Sequence, residues 1–204
     1  MEYVKGISLR QFYKNTKDHK IPENICKFVF YQLADAMNYL HKNHIAHRDI
    51  KLENIIINQN HYIKLIDFGF GVYNPSDELQ SFFCGTPNYM PPEIFMKIKY
   101  NPFLSDLWSL GVLLYKMLTG EFPYKGKNEK ELFKHVKEDS YTVPNYITEQ
   151  AKIVIQSLII KKPEERVSMN DVLNFSWFHS LNHQLDDNLH IYNQVESNYS
   201  VNND

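Results

Sequence analysis

The stretch that decides the fold is His47-Arg48-Asp49-Ile50-Lys51-Leu52-Glu53-Asn54, and Asp67-Phe68-Gly69 follows thirteen residues after Asn54. Eight residues of this pattern are specified: the His-Arg-Asp triplet, the lysine, the asparagine and the Asp-Phe-Gly triplet. At about one in twenty per position, eight such matches arise by chance on the order of 10⁻⁸ times over the chain. A polar turn after a helix, followed by an unrelated acidic strand end, is therefore a poor explanation of the pattern.

The two motifs together form the protein-kinase signature, His-Arg-Asp-x-Lys-x-x-Asn followed by Asp-Phe-Gly. The chain therefore resembles a eukaryotic protein kinase, and the resemblance covers residues 1–180 of the 204. It implies the fold of the kinase C-terminal lobe, which is mainly α-helical with a small β-hairpin region. Residues 181–204 are polar and rich in Asn and Asp, so we expect a disordered tail there.

The resemblance implies a role for each motif side chain in phosphoryl transfer from ATP, where the protein mainly positions groups and neutralises charge. Asp49 would accept the proton of the substrate hydroxyl, and Lys51 would reach the γ-phosphate. Asn54 and Asp67 would hold Mg²⁺, because oxygen ligands suit a hard cation. Thr86 would form hydrogen bonds with Asp49 and Lys51. The implied ligands are thus ATP, Mg²⁺ and a protein substrate.

Neighbouring residues take structural roles in the same comparison. His47 would lie under the ring of Phe68, and Gly69 would permit the backbone turn after the metal ligand. Only three of the 22 basic residues are arginines. Two of them, Arg48 and Arg166, fall where the family uses a guanidinium, whose planar fork a lysine cannot replace.

The first residues of the chain resemble the hinge that joins the two lobes of a kinase. On that alignment, backbone groups of Glu2 and Val4 would bind adenine. Leu9 and Ile56 would lie beneath the adenine ring.

Residues 84–93, Cys-Gly-Thr-Pro-Asn-Tyr-Met-Pro-Pro-Glu, resemble the end of the kinase activation segment, with Pro91 in place of the usual alanine. Lys51 and Thr86 fit the serine/threonine pattern, since tyrosine kinases differ at both places. Leu52 and the Cys-Gly-Thr-Pro run favour the calmodulin-dependent and AMP-activated-like kinases, or the protein kinase A-like group.

Two further stretches extend the resemblance towards the C-terminus. Residues 106–111 resemble the start of the buried central helix of the lobe, where Asp106 would cap the backbone of residues 47–54, the catalytic loop. Residues 163–166, Pro-Glu-Glu-Arg, resemble the segment whose arginine pairs with the activation-segment glutamate. Glu93 and Arg166 are therefore expected to form a buried ion pair.

The spacing of apolar residues gives a coarse secondary structure. Residues 69–92 show little periodicity and predict a long loop, and loops of that length are usually functional. Two short strands are expected over 54–58 and 62–66, around a polar turn. Helices are expected over 9–13, 22–40, 105–119, 129–137, 148–160 and 169–174.

Composition excludes several classes of protein. The 22 basic and 24 acidic residues give a net charge of −2, so no basic excess indicates nucleic acid or a membrane surface as a partner. Two cysteines cannot form a disulfide framework, and they indicate a reducing compartment, cytoplasmic or nuclear. The nine histidines show no zinc-site spacing with cysteine.

The chain departs from the family in one large respect. It contains no Gly-rich phosphate loop, no Val-Ala-x-Lys strand and no helix with the glutamate that pairs with that lysine. We therefore expect the N-terminal lobe to be absent, either because the sequence is a fragment of a longer kinase or because the protein is truncated. The alternative function is a non-catalytic module that binds partners through the helix near residues 129–137.

The loop also departs from the family beside Cys84. Related kinases often carry a phosphorylatable threonine two residues before this cysteine, and Phe82 occupies that position. If phosphorylation of the loop switches the kinase, we expect Ser81 to be the site and Arg48 to be its main partner. Otherwise the kinase is constitutively active or is activated in another way, and Ser81 is an ordinary solvated serine.

Overall fold

The computed structural model describes residues 4–181. Glu2 of the expected hinge, and residues 182–204 of the expected tail, lie outside these described residues. Leu181 was expected to belong to the tail, but it is 3% exposed and ends the last helical segment. Between residues 4 and 181, no helix combines the length and the apolar character that a membrane crossing requires.

Helices dominate the described chain, as the sequence predicted. The α-helices are α1 (Leu9–Lys14), α2 (Glu23–Lys42), α3 (Pro92–Phe95), α4 (Pro102–Thr119), α5 (Glu129–Glu138), α6 (Glu149–Leu158) and α7 (Met169–Val172). The 3-10 helices lie at Lys17–His19, Leu52–Asn54, Pro87–Tyr89, Pro163–Glu165 and Ser176–Leu181. Six of the seven α-helices match predicted ones. Helix α3 was not predicted, and it begins at Pro92, the last residue of the expected loop.

Helix α4 is buried on nearly all sides and forms the centre of the lobe. It begins at Pro102, earlier than predicted, because the side chain of Asn101 accepts two backbone N–H groups of the first turn at 2.9 and 3.4 Å. It ends at Gly120, whose φ of 80° is the left-handed conformation that glycine adopts without strain. Gly111 lets α6 pack closely, since a Cβ there would lie 2.7 Å from the Cβ of Leu158.

Helix α2 buries an apolar face against the same core. At its start, Glu23 Oε1 accepts hydrogen bonds from Thr148 Oγ1 at 2.5 Å and from Trp177 Nε1 at 2.9 Å. These two bonds connect α2 with the start of α6 and with the last helical segment. The buried face of α2 consists of Cys26, Val29, Phe30, Leu33, Ala34 and Met37.

A small antiparallel sheet lies beside the helices, in the order β1 (Ile7–Ser8), β3 (Ile55–Ile57), β4 (Ile63–Leu65). The β3–β4 hairpin confirms the two predicted strands, with shorter ends than expected. Strand β1 was not predicted, because two residues are too few to show a period. Gly6, just before it, approaches β3 so closely that a Cβ would lie 2.5 Å from the carbonyl oxygen of Ile57.

The long loop contains more structure than the sequence predicted. Strand β5 (Val72–Tyr73) pairs with β2 (Ile45–Ala46), and β2 directly precedes the catalytic loop, which begins at His47. Further along, Gln80 and Tyr100 exchange two backbone hydrogen bonds of 2.8 and 3.1 Å. Two separate parts of the loop are therefore held by backbone hydrogen bonds to other parts of the lobe.

We expect the fold to lose stability at alkaline pH because of its buried tyrosines. Burial raises the pKa of Tyr100 and of Tyr124 to about 12, and raises that of four others as well. The folded state thus keeps protons that an unfolded tyrosine loses at a pKa of about 10. Stability is therefore complete below pH 10 and falls as the pH rises towards 12. The other four tyrosines are Tyr13, Tyr89, Tyr115 and Tyr141.

Urea unfolding at pH values below and above 10 measures this loss directly, and the tyrosinate absorbance of the folded chain reports the ionisation. Part of the tyrosine signal should appear only as the chain unfolds. A free energy of unfolding that stays constant through pH 11 would show that these hydroxyls ionise freely in the folded state.

Candidate active site

Asp49 lies at the centre of a hydrogen-bonded cluster and is only 6% exposed. Its Oδ1 accepts from Thr86 Oγ1 at 2.8 Å, and its Oδ2 accepts from Lys51 Nζ at 2.6 Å and from Asn54 Nδ2 at 3.1 Å. Lys51 Nζ also donates to Thr86 Oγ1 at 3.1 Å. The structure therefore brings together the four predicted residues Asp49, Lys51, Asn54 and Thr86. The expected bonds of Thr86 to Asp49 and Lys51 are present.

The side chain of Asp106, in α4, holds the backbone of the catalytic loop through two hydrogen bonds. Its carboxylate accepts from the backbone N–H of His47 at 2.8 Å and from that of Arg48 at 2.7 Å. Arg48 has a φ of 64°, a conformation that costs a non-glycine residue of the order of 1–3 kcal/mol. Because both hydrogen bonds end on a carboxylate that is 1% exposed, they are strong enough to offset this strain. The cap predicted for Asp106 is observed.

His41 of α2 is a third partner of Asp106, and sequence reasoning did not find it. Its Nε2 lies 3.1 Å from Asp106 Oδ2, and its ring meets Phe103 edge to face with centroids 5.1 Å apart. The two polar residues are 65 positions apart in the chain. Such a contact between α2 and α4 depends on how the two helices pack, so no local sequence pattern could have predicted it.

His47 links the catalytic loop to the Asp-Phe-Gly turn. Its ring lies 4.9 Å from that of Phe68, as expected. Nδ1 accepts from the backbone N–H of Asp49 at 3.2 Å, and Nε2 lies 3.1 Å from the carbonyl oxygen of Ile66. These two partners together require the neutral ring with its proton on Nε2. A neutral, fully buried ring is consistent with the structural role predicted for His47.

Asn54 and Asp67 lie at the same end of the β3–β4 hairpin. The backbone N–H of Ile66 donates to the carbonyl oxygen of Asn54 at 2.9 Å, which continues the ladder one pair beyond the strands. Asp67 follows with a φ of 65° and an exposed side chain, whose Oδ1 accepts the N–H of Gly69 at 3.2 Å. The hairpin therefore brings two residues with oxygen-bearing side chains to one end. Gly69 lies in the turn that follows, but its φ is not positive, and the left-handed backbone is at Asp67 itself.

This pair of side chains fits Mg²⁺. The amide nitrogen of Asn54 donates to Asp49, so its amide oxygen is the atom that can ligate a cation. Within residues 4–181 there is no group of three or more His, Cys, Asp and Glu side chains that could hold a metal alone. One carboxylate and one amide oxygen are donors of the kind that suits Mg²⁺, which is commonly held by one or two protein ligands together with substrate phosphates and water.

The expected adenine surface is only partly formed by the predicted residues. Val4 and Ile56 are half-buried, with Val4 close to β1 and Ile56 in the middle of β3. Leu9 has no exposed surface and belongs to the core. A side chain without exposed surface has no face to offer a bound ring, so the burial of Leu9 does not support the predicted contact with adenine. The reason is that Leu9 begins α1, which turns its side chain into the lobe.

Glu93 and Arg166 form the expected buried ion pair. Arg166 Nη1 donates to Glu93 Oε1 at 2.7 Å and Nη2 donates to Oε2 at 2.9 Å, a bidentate arrangement. Two carbonyl oxygens complete the guanidinium: Nη1 also donates to that of Leu104 at 2.8 Å, and Nε donates to that of Ile160 at 2.9 Å. The pair joins α3, at the end of the loop, to the segment that follows α6.

Ser81 and Phe82 are both exposed, and Phe82 has 60% of its surface open to solvent. An exposed hydroxyl is available to a modifying enzyme, so the assignment of Ser81 as a phosphorylation site stays a prediction.

Comparison with known proteins agrees with this geometry. Residues 1–178 match the family described as the protein kinase domain. The probable serine/threonine-protein kinase MARK-A of Dictyostelium discoideum is 37% identical over 161 residues, which cover 78% of this chain and 15% of that protein. Aurora kinase of the same organism is 40% identical over 146 residues, or 72% of this chain and 38% of that protein.

A plant relative covers more of the chain. CBL-interacting protein kinase 15 of Oryza sativa subsp. japonica is 33% identical over 181 residues, which cover 87% of this chain and 41% of that protein. The chain thus spans less than half the length of these curated relatives.

The helical lobe, its catalytic-loop cluster and these matches together define a lobe of the protein kinase fold. The chain belongs to the protein kinase domain family and, within it, to the eukaryotic serine/threonine protein kinases.

Proposed function

We propose that the kinase containing this chain transfers the γ-phosphoryl group of Mg²⁺-bound ATP to a serine or threonine hydroxyl of a protein substrate. The observation that carries the proposal is the buried Asp49 carboxylate with Lys51, Asn54 and Thr86 all within hydrogen-bond distance of it. A lobe that only bound partners would have no use for this cluster. The names of the relatives support the serine/threonine class of the reaction.

The hydrogen bonds of Asp49 support a proton acceptor at a particular atom, Oδ1. Among the described residues, Asp49 Oδ2 accepts two side-chain hydrogen bonds and Oδ1 accepts one, from Thr86. A carboxylate oxygen has two lone pairs, so Oδ1 retains one for the substrate hydroxyl. Thr86 fixes the orientation of the carboxylate and lies beside the place where that hydroxyl must sit. Asp49 would take the hydroxyl proton there during transfer.

Charge neutralisation is assigned to the other residues. Lys51 Nζ is held between Asp49 and Thr86, so its positive charge lies next to the acceptor hydroxyl and the incoming phosphoryl group. Asn54 and Asp67 would hold Mg²⁺, which supplies charge neutralisation for the ATP phosphates when bound. Hydrogen bonds with Asp49 and with the N–H of Gly69 orient the side chains of Asn54 and Asp67, which is the kind of positioning that this catalysis requires.

An adenine ring that stacks on Ile56 also needs a second surface to pack against its other face. The kinase family binds ATP between two lobes, and residues 4–181 supply only the lower surface of that cleft. We propose that an N-terminal lobe, encoded upstream of this sequence or provided by another chain, completes the site. The implied partners are then ATP and protein substrates.

We expect the 204 residues alone to show no measurable kinase activity. One face of the adenine and the outer phosphates would remain in water, and electrostatic stabilisation of the transition state is weak there. Calorimetry with Mg²⁺ and ATP, together with transfer assays on generic basic and acidic peptides, measures both steps.

The exposed ring of Phe68, with 45% of its surface in solvent, should also favour self-association at high concentration.

The matched control is Asp67→Ala, an exposed substitution that removes the expected metal ligand. Micromolar ATP binding by the 204 residues, with turnover that disappears in Asp67→Ala, would contradict the expectation. Specific partner binding through α5 without turnover, in a kinase with both lobes, would favour the non-catalytic module instead.

A further inference from the structure

The side chain of Arg48 contacts two separate parts of the loop that follows the Asp-Phe-Gly turn. Its Nε donates to the carbonyl oxygen of Phe70 at 2.6 Å. Its guanidinium carbon lies 5.6 Å from the centroid of the Phe82 ring. We call residues 70–82 the loop segment. Arg48 therefore bridges the first and last residues of the loop segment from a fixed point in the catalytic loop.

The last residues of the loop segment are held in place by Tyr100. The hydroxyl of Tyr100 donates to the carbonyl oxygen of Phe82 at 3.0 Å, and the backbone of Tyr100 pairs with that of Gln80. The main chain at Phe82 is thus fixed from one side, while its ring lies over Arg48. Phe82 remains 60% exposed, so burial of apolar surface does not account for the position of its ring.

The guanidinium has an electrostatic reason to attract that ring. Nη1 of Arg48 is buried and forms no hydrogen bond of normal geometry among residues 4–181, although the guanidinium lies close enough to the Tyr100 hydroxyl to lower the pKa of that group against the effect of burial. A buried N–H of a charged group that lacks a partner is costly. The negative face of an aromatic ring within about 6 Å attracts a guanidinium and offsets part of this cost. Asp106 does not do so, because it bonds to the backbone N–H of Arg48.

We infer that the Arg48–Phe82 contact holds the loop segment in the described conformation without a phosphate group. The ring supplies, through its π face, the anchor for Arg48 that a phosphorylated residue such as Ser81 would supply through charge. The inference goes beyond the proposed function, since it concerns the conformation of the unmodified chain and not the reaction.

Hydrogen exchange of the full 204-residue chain, followed by mass spectrometry of peptides that cover residues 70–82, tests the inference. The protein is made without phosphate, and its intact mass verifies this. Phe82→Leu keeps an apolar side chain but removes the π face. We expect exchange in the loop segment to become about two- to fivefold faster, the opening that loss of one exposed cation–π contact allows.

Three variants make the result specific. Phe82→Trp offers a better π face and should exchange as slowly as the parent. Leu79→Ala removes an apolar side chain that is 57% exposed in the same segment, and it should leave exchange elsewhere in the segment unchanged. Ser81→Ala should also be neutral. Equal thermal unfolding midpoints confirm that the variants are folded, as expected for exposed positions.

Several outcomes would overturn the inference. Phe82→Leu could exchange like the parent, or Leu79→Ala could loosen the segment as much as Phe82→Leu does. The unmodified chain could also exchange freely and become protected only after phosphorylation of Ser81. That last result would mean that Arg48 binds the phosphate of Ser81 and that the Phe82 ring does not stabilise the loop segment.

Discussion

Asp49→Asn is expected to reduce phosphoryl transfer by about 10²–10⁴-fold in a full-length kinase that contains this lobe, while ATP affinity remains nearly unchanged. Asparagine has the shape of aspartate but cannot take a proton from the substrate hydroxyl. Its amide nitrogen would also face a donor, either Thr86 Oγ1 or Lys51 Nζ, which now lie 2.8 and 2.6 Å from the carboxylate oxygens. Both effects act on the acceptor hydroxyl and not on the nucleotide.

Single-turnover transfer and nucleotide titration separate the two steps. Asp67→Ala is the matched control, because its effect should appear in the binding of Mg²⁺ and ATP as well as in the rate. Near-parental transfer by Asp49→Asn would sink the assignment of Asp49 as the proton acceptor. A large loss of ATP affinity in that variant would place Asp49 in the nucleotide site instead.

Removal of either partner of the Glu93–Arg166 pair is expected to lower the free energy of unfolding by about 3–5 kcal/mol. Both side chains are nearly inaccessible, with 7% and 0% of their surfaces exposed. Glu93→Ala leaves a buried guanidinium with only two carbonyl partners, and Arg166→Ala leaves a buried carboxylate without its two donors. The double variant should therefore be less destabilised than the sum of the single ones.

Chemical denaturation of the four proteins completes the cycle. Lys162 and Glu165 provide the comparison, since they are also an ion pair at 2.7 Å but are mostly exposed. Their substitution should change stability little, because solvent screens the pair. Additive losses at Glu93 and Arg166 would mean that the two residues do not depend on each other.

The sequence was most informative where chemistry fixes both residue type and spacing. Asp49, Lys51 and Thr86 meet as expected because phosphoryl transfer allows few alternatives at each position. The long-range pair of Glu93 and Arg166 followed from resemblance and not from any local pattern. Helix α4 was predicted from its uniformly apolar composition, which only a buried helix tolerates.

Elements of two residues escaped prediction for a physical reason. Strands β1, β2 and β5 are each stabilised by a neighbouring strand, and so few residues cannot show an alternating pattern. The burial of Leu9 was missed because its helix position, which directs the side chain inward, mattered more than its place near the hinge. The contacts of Arg48 with Phe70 and Phe82 depend on the path of the loop, which composition does not determine.

The carboxylate of Asp106 has a consequence for the order of folding. It bonds to two backbone N–H groups of the catalytic loop from inside α4, the most buried helix of the lobe. The strained backbone at Arg48 therefore has no support until α4 has docked against the strand that carries the loop. A chain still folding, or one partly unfolded by stress, cannot hold its catalytic aspartate in position. The geometry of the catalytic loop thus depends on the docking of α4, so a chain whose core is misassembled lacks a correctly shaped site.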